Sequence, residues 1–225
     1  VAERLTICAI SDTHRRHEQL ALPPADVLVH SGDFSGRGQL SALDDFNDWL
    51  GRQPHRHKIF IAGNHDFCFE LKPERARERV TNALYLQDAG VEIEGFYIWG
   101  SPWQPWFLDW AFNLKRGLPL REKWDLIPTK TDILLTHGPP MNILDRCLDG
   151  RRVGCEELVG AIQRVRPALH VFGHIHEAAG AEEHDGTLYV NASVCSVSLS
   201  IAQEPRLIEL TRDAEGTRAR LLAFP

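Results

Sequence analysis

The chain has no long hydrophobic run. No segment of its 225 residues reaches the roughly 18 uncharged apolar residues that a membrane-spanning helix needs, so no membrane association is expected. Positive charge is also short: 25 Lys and Arg stand against 31 Asp and Glu, a formal net charge of −6. Proteins that grip nucleic-acid polymer lean basic, so polymer binding is not expected, although "RRH" at 15–17 and "GRRVG" at 150–154 leave a local basic patch open. A small phosphorylated ligand is not excluded, because a bound metal reverses the local sign of charge. Cysteine is sparse. Cys8, Cys68, Cys147, Cys155 and Cys195 are odd in number and include no CxxC pair, which predicts buried thiols in a reducing, cytoplasmic setting. Repeats, low-complexity tracts and linkers are missing, so residues 1–225 are read as one domain. The opening "VAERLTICAISD", in a chain that starts at Val1 rather than Met, is charged early and then strand-like, and is expected to be strand rather than signal peptide.

What is present is an ordinary globular composition, 43% hydrophobic and 25% charged, in a chain long enough for a sizeable core. Short apolar runs recur, each ending in a polar cluster: "RLTICAI" before "SDTH", "ADVLVH" before "SGDF", "HKIFIA" before "GNHD", "TDILLT" before "HGPP" and "PALHVF" before "GHIH". Such near-continuous runs suit strands covered on both faces. Helical spacing separates them. "QLSALDDFNDWLG" sets Leu40, Leu43, Phe46, Trp49 and Leu50 on one face, with Ser41 as a possible cap and Gly51 as a possible stop. "GCEELVGAIQRVRP" does the same with Leu158, Ile162 and Val165 ahead of Pro167. The alternation predicts an α/β fold with parallel strands at its centre. Later, "TLYVNASV", "RLIELTR" and "ARLLAF" read as consecutive strands joined by "DG" and "DAEG" turns, and "VEIEGFYIWGSP" reads as a hairpin turning at Gly95.

Five runs end in groups that bind metals or move protons. They are Asp12 and His14; Gly32 and Asp33; Gly63 with Asn64, His65 and Asp66; His137; and His174 with His176. Alternate residues of extended chain share a side, so Asp12 and His14, or His174 and His176, can face one ion. Each cluster alone admits a plainer reading: a helix cap, a turn carboxylate, an Asx turn or a structural imidazole. Strand carboxyl ends, however, gather at one edge of an open α/β sheet.

D-x-H, GD, GNHD, a lone His and GHxH, in this order, form the signature of the calcineurin-like metallophosphoesterases, which this chain resembles over most of its length. The phrases "GDFSGRG", "FNDWLG", "IAGNH", "SPWQPWF", "DILLTHGPP", "RVGCEEL", "VRPALHVFGHIHE" and "NAS" are similar to the small metallophosphoesterase-domain-containing family, associated with hydrolysis of phosphodiesters including cyclic nucleotides. The resemblance implies a four-layer α/β/β/α sandwich of two mixed β-sheets flanked by helices. It implies two metal ions, one on Asp12, His14 and His176, the other on Asn64, His137 and His174, bridged by Asp33. Some relatives carry Gly at the position of His174; here the set is complete. Nitrogen and oxygen donors without thiolate suit Mn first, with Fe, Zn and Ni as alternatives. Two such ions about 3.5–4 Å apart would activate a shared water for attack on phosphorus.

By the same resemblance His65 would sit beside the phosphate and protonate the leaving group, and Asp66 would orient its ring. Arg37, at an offset similar to the phosphate-gripping arginine of protein Ser/Thr phosphatases, is a candidate substrate ligand; a solvated loop Arg is the alternative. Trp103, Trp106, Phe107 and Trp110 either stack on a substrate base or pack as a cover over the sheet edge. His17, His30, His55, His57, His170 and His184 are read as structural or solvated. The expected activity is a dinuclear phosphodiesterase on small phosphoesters, with a phosphomonoesterase or protein phosphatase, or a non-catalytic binding module, as rivals.

Overall fold

The computed structural model describes residues 3–223. The chain runs β1 (Glu3–Ile10), β2 (Val27–His30), α1 (Leu40–Arg52), β3 (His57–Phe60), α2 (Phe67–Leu71), α3 (Pro73–Arg79), β4 (Leu84–Tyr85), β5 (Ala89–Ile93) and β6 (Phe96–Ser101). It continues with β7 (Gln104–Pro105), β8 (Asn113–Leu114), α4 (Leu118–Trp124), β9 (Ile133–Thr136), α5 (Glu156–Val165), β10 (Leu169–Phe172), β11 (Gly180–His184), β12 (Thr187–Asn191), β13 (Arg206–Asp213) and β14 (Gly216–Leu222). Two six-stranded sheets form, ordered β14-β13-β1-β2-β3-β4 and β11-β12-β10-β9-β6-β5. Both are mixed. β1, β2, β3 and β4 are parallel neighbours, as are β6, β9, β10 and β12, and antiparallel strands finish every edge but that of β4.

The strand sequences explain the layering. In β1, Leu5, Ile7 and Ala9 turn to one face, where they meet Ile98, Ile133, Leu135, Leu169 and Val171 of the second sheet. Cys8 and Ile10 turn to the other, against Leu43, Phe46, Trp49 and Leu50 of α1. The second sheet repeats the scheme: Trp99, Leu134 and Phe172 face Leu120 and Trp124 of α4 and Leu158, Ile162 and Val165 of α5. The central strands are covered on both faces, which is why "VLVH" and "ILLT" are apolar without strict alternation. A fully buried Leu, Ile or Phe contributes about 1.5–3 kcal/mol, so the three apolar layers dominate stability. The α/β/β/α arrangement is the one expected.

Several local expectations change. α1 starts at Leu40 with Gln39 before it, and no side chain caps it, so Ser41 lies inside the first turn. Gly51 does not stop the helix, which ends after Arg52. A Cβ on Gly51 would lie 2.7 Å from the Asn82 amide, so the glycine makes room for that side chain. "TLYVN" and the two strands after it divide between the sheets, since β12 joins the second and β13–β14 the first. Phe224 of the expected strand "ARLLAF" lies outside the described residues. Among the described residues no helix is long and apolar enough to cross a membrane.

Candidate metal centre

The loops after β1, β2, β3, β9 and β10 all reach one edge of the sandwich. Backbone bonds lace the first two together: Asp12 N–H to Gly32 O (2.9 Å), His14 N–H to Asp33 O (3.0 Å) and Arg15 N–H to Phe34 O (2.8 Å). A parallel bridge between Ser11 and Ser193 ties this edge to the segment following β12 in the other sheet. The packing is close. A Cβ on Gly63 would come within 2.2 Å of Asp33 Oδ1, and one on Gly173 within 2.0 Å of Asp12 Oδ2. Asp12, His14, Asp33 and His174 all hold positive φ, between 42° and 68°. Such conformations cost about 1–3 kcal/mol each and persist where the surroundings over-determine them.

Three small constellations of metal-capable atoms result: Asp12, His14 and His176; His14, Asp33 and His65; Asp12, Asp33 and His137. His176 Nε2 is 3.2 Å from Asp12 Oδ1 and 3.3 Å from His14 Nε2. Asp33 Oδ2 is central, at 3.4 Å from His137 Nε2, 3.8 Å from His65 Nε2 and 3.9 Å from His14 Nε2. Asn64 Oδ1 lies 2.8 Å from His137 Nε2. The His174 ring centroid is 5.0 Å from that of His137, and its backbone N–H donates to Asp12 Oδ2 at 3.0 Å.

Four rings are aimed by the same device. Nδ1 of His14, His65, His137 and His176 lies 2.8–3.3 Å from the carbonyl oxygen of Ser35, Gly36, Ser31 and Ser196 respectively. A carbonyl only accepts, so each Nδ1 carries the proton and each Nε2 is turned inward.

The electrostatics are those of a buried ionic cluster. Burial opposes the charge on Asp12 and Asp33, but their histidines outweigh it and hold both carboxyls well below the usual range. Conversely burial would lower His137 and His176, yet Asp33 and Asp12 lift each to about 9. His174, farther from the carboxylates, is driven by burial down to about 3. Among the described residues no Lys or Arg pairs with Asp12 or Asp33; their ionic partners are imidazoles. Buried carboxylates without a fixed cation, surrounded by imidazole nitrogens and an amide oxygen, fit divalent metals that accept mixed nitrogen and oxygen donors.

One expectation is corrected. Asp66 does not touch the His65 ring. Its buried carboxylate accepts the backbone N–H groups of Asp33 (2.8 Å), Gly63 (2.9 Å) and Ser35 (3.1 Å), so it holds the ligand loops together. Burial and the Asp33 charge push this carboxyl up to about 7. The tryptophan-rich segment also divides. Trp103 is structural, with its indole N–H on Asp88 at 2.8 Å. Trp106 and Phe107 are more than half exposed. Trp110 lies over His65, with ring centroids 4.1 Å apart. Arg37 is exposed, its guanidinium 5.2 Å above the Trp110 ring.

Sequence reasoning missed Ser193, whose hydroxyl donates to Asp12 Oδ2 at 2.7 Å. The "NAS" phrase was its one signal. His30 and His170, read as structural or solvated, are buried and structural. Each places Nε2 against the hydroxyl of a threonine beside a ligand, Thr13 at 2.9 Å and Thr136 at 2.8 Å.

Similarities to known proteins agree with this geometry. The model of the family described as calcineurin-like phosphoesterase matches residues 5–178. Metallophosphoesterase domain-containing protein 1 of Homo sapiens and of Mus musculus is 47% identical over 226 residues, covering 89% of this chain and 69% of the relative. A probable cyclic nucleotide phosphodiesterase of Synechococcus is 31% identical over 160 residues, covering 68% of this chain and 58% of that one. Among solved structures, TT1561 of Thermus thermophilus shares the fold at TM-score 0.59 and 13% identity, covering 96% of this chain and 98% of that one.

Proposed function

Because this chain belongs to the calcineurin-like phosphoesterase family, we propose that its strand-end cluster holds two metal ions and hydrolyses small phosphodiesters, cyclic nucleotides among them. Asp12, His14 and His176 would hold one ion. Asn64, His137 and His174 would hold the other, with Asp33 between them. The observation that carries this reading is the Asp33 carboxylate, buried and faced by three inward-turned Nε2 atoms. Mn is the first candidate, with Fe, Zn or Ni as alternatives. Bound there, such ions neutralise phosphoryl oxygens and acidify water.

The chain's own residues supply the rest. The carbonyl-locked rings of His14, His137 and His176 already turn Nε2 inward, so binding would displace the Nε2 protons of His137 and His176 with little ring movement. His65 lines the cavity beside Asp33, with 21% of its side chain exposed, and is placed to protonate the departing ester oxygen. Arg37 has no carboxylate partner among the described residues, which leaves its guanidinium free for a phosphate oxygen. A cavity of about 200 Å³ opens between Asp33, Asn64, His65, Trp110, His174 and His176, room for a phosphoryl group at the cluster. The Synechococcus relative's description as a probable cyclic nucleotide phosphodiesterase supports a diester.

The test is metal content paired with activity. Two ions per chain and chelator-sensitive, Mn-restored turnover of bis-p-nitrophenyl phosphate are expected, with slower turnover of p-nitrophenyl phosphate. Monoester preference would replace the diesterase with a phosphatase. No metal and no turnover with added Mn would leave a binding module.

A further inference from the structure

The segment 106–112 is a built loop. β7 and β8 close its base in parallel, and Trp106 N–H donates to Leu114 O at 2.9 Å. The Asn113 amide donates to the carbonyls of Phe107 (3.2 Å) and Leu108 (2.8 Å) from inside. Two tethers hold it: Ala111 N–H to Asn64 O in the loop after β3 (3.1 Å) and Phe112 N–H to Glu70 Oε1 on α2 (2.8 Å). Trp110 therefore has a fixed position relative to Asn64 and His65. Its ring lies 4.1 Å from the His65 ring at an interplanar angle of 30°, and it carries the Arg37 guanidinium at 5.2 Å. The Phe67 ring supports it at 6.0 Å. His65 is thus bounded by Trp110, by the edge of His14 at 4.7 Å and by Gly36 O on Nδ1 at 2.8 Å.

We infer that Trp110 is the positioning residue of this site: it fixes the plane of the His65 ring and holds Arg37 beside it, so that proton donor and phosphate grip act on the same ester. Three restraints define a ring. Gly36 O sets its tautomer, His14 limits its tilt and the indole face sets its plane. Without the indole, His65 keeps its tautomer and loses its aim. Misplacement by about 1 Å can cost about 100-fold in rate.

The inference rests on the phosphodiesterase reading. In that reaction the oxygen of water forms the new P–O bond. The ester P–O bond breaks with its electron pair on the leaving oxygen. Protonated His65 neutralises that oxygen with its Nε2 proton, and the proton shed by water restores the balance. A p-nitrophenolate leaves without this help, whereas an unsubstituted phenolate needs it.

Matched methyl aryl phosphates with p-nitrophenyl and phenyl leaving groups make the test, using the metal-loaded protein. Trp110→Ala is expected to lower kcat for the phenyl ester about 30-fold and for the p-nitrophenyl ester about threefold or less, and to raise KM for both alike through the loosened Arg37. Trp110→Phe should restore most of the loss. In His65→Ala, adding Trp110→Ala should cost no further kcat, because the two act as one unit in leaving-group protonation, while KM rises through Arg37. Arg37→Ala should raise KM for both esters alike. Equal losses of kcat on both esters in Trp110→Ala, or additive losses of kcat with His65→Ala, would overturn the inference. A second readout needs no turnover. In the metal-free protein, the His65 Cε1–H resonance, identified by its loss in His65→Ala, should move downfield when Trp110→Ala removes the indole ring current. No movement would overturn the stacking itself. A wild-type protein inert toward both esters would overturn the phosphodiesterase reading and the catalytic role together, while the resonance would still report whether the bracket exists.

Discussion

The two sheets do not give the centre the same chemistry. The first supplies every oxygen donor, Asp12, Asp33 and Asn64, together with His14 and His65, from the ends of β1, β2 and β3. The second supplies imidazoles alone: His137 after β9, and His174 and His176 after β10. The shortest ionic contacts of the buried carboxylates cross between the sheets, Asp12 to His176 at 3.2 Å and Asp33 to His137 at 3.4 Å. Neither half is a stable site alone, because an unpaired buried carboxylate carries a penalty of several kcal/mol. The centre forms when the sheets dock.

The supports behind the ligands differ as well. His30 on β2 is satisfied at both nitrogens: Gly32 N–H donates to Nδ1 at 3.1 Å, so Nε2–H donates to Thr13. His170 on β10 is satisfied at one. The Thr136 hydroxyl already donates to Gly138 O at 2.8 Å, so it accepts from His170 Nε2–H, and Nδ1 has no partner among the described residues.

The largest expected effect tests the division between sheets. Asp33→Asn should abolish metal-dependent turnover, by about 1,000-fold, with both ions lost from metal analysis. His174→Ala should lose one ion and keep the other. If both variants lose the same metal equivalents, Asp33 does not bridge.

The paired supports come next. His30→Leu strands the Gly32 N–H and the Thr13 hydroxyl, and should cost about 2–4 kcal/mol in urea unfolding. His170→Leu strands neither group and should cost about 1 kcal/mol or less. Equal losses would mean that packing, rather than hydrogen bonding, sets their worth.

Ser193→Ala removes a hydroxyl from Asp12 and should weaken metal affinity about 10-fold, the lower end for a group that orients a ligand. Metal titration followed by calorimetry checks it. An unchanged affinity would make Ser193 a packing residue only.

The last test is a pH slope. Burial lowers His170 to about 3, against 6.5 in the unfolded chain, so the unfolded state binds the extra proton between those values. Its neutral form contributes stability fully above pH 6.5, and that contribution is lost as pH falls towards 3. The stability of His170→Leu should therefore decline less steeply over that window, and parallel slopes would refute the assignment.

How much of this was legible in the chain depends on the range of the interaction. β1, β2, β3, β9 and β10 could be read because their apolar runs record burial between two layers. β11, "GAEEH", has no such pattern, since it is an edge strand held by backbone pairing to β12. α3, "PERARER", buries only Ala76 and leaves no helical stripe to find. The residues of the centre were visible as types at strand ends. Asp66 was misread because a carboxylate beside a histidine in sequence has no obligation to bond it. Three backbone N–H groups from two loops claimed it instead.

By itself the sequence determined the layers and the inventory. Hydrophobic period and strand-end chemistry are local properties, written within a few residues. Only the tertiary structure decided which Nε2 faces which carboxylate, which histidines are supports, and that Trp110 lies on His65. Those depend on groups far apart in the chain, 164 residues in the contact between His176 and Asp12, and no local pattern encodes a meeting at that separation.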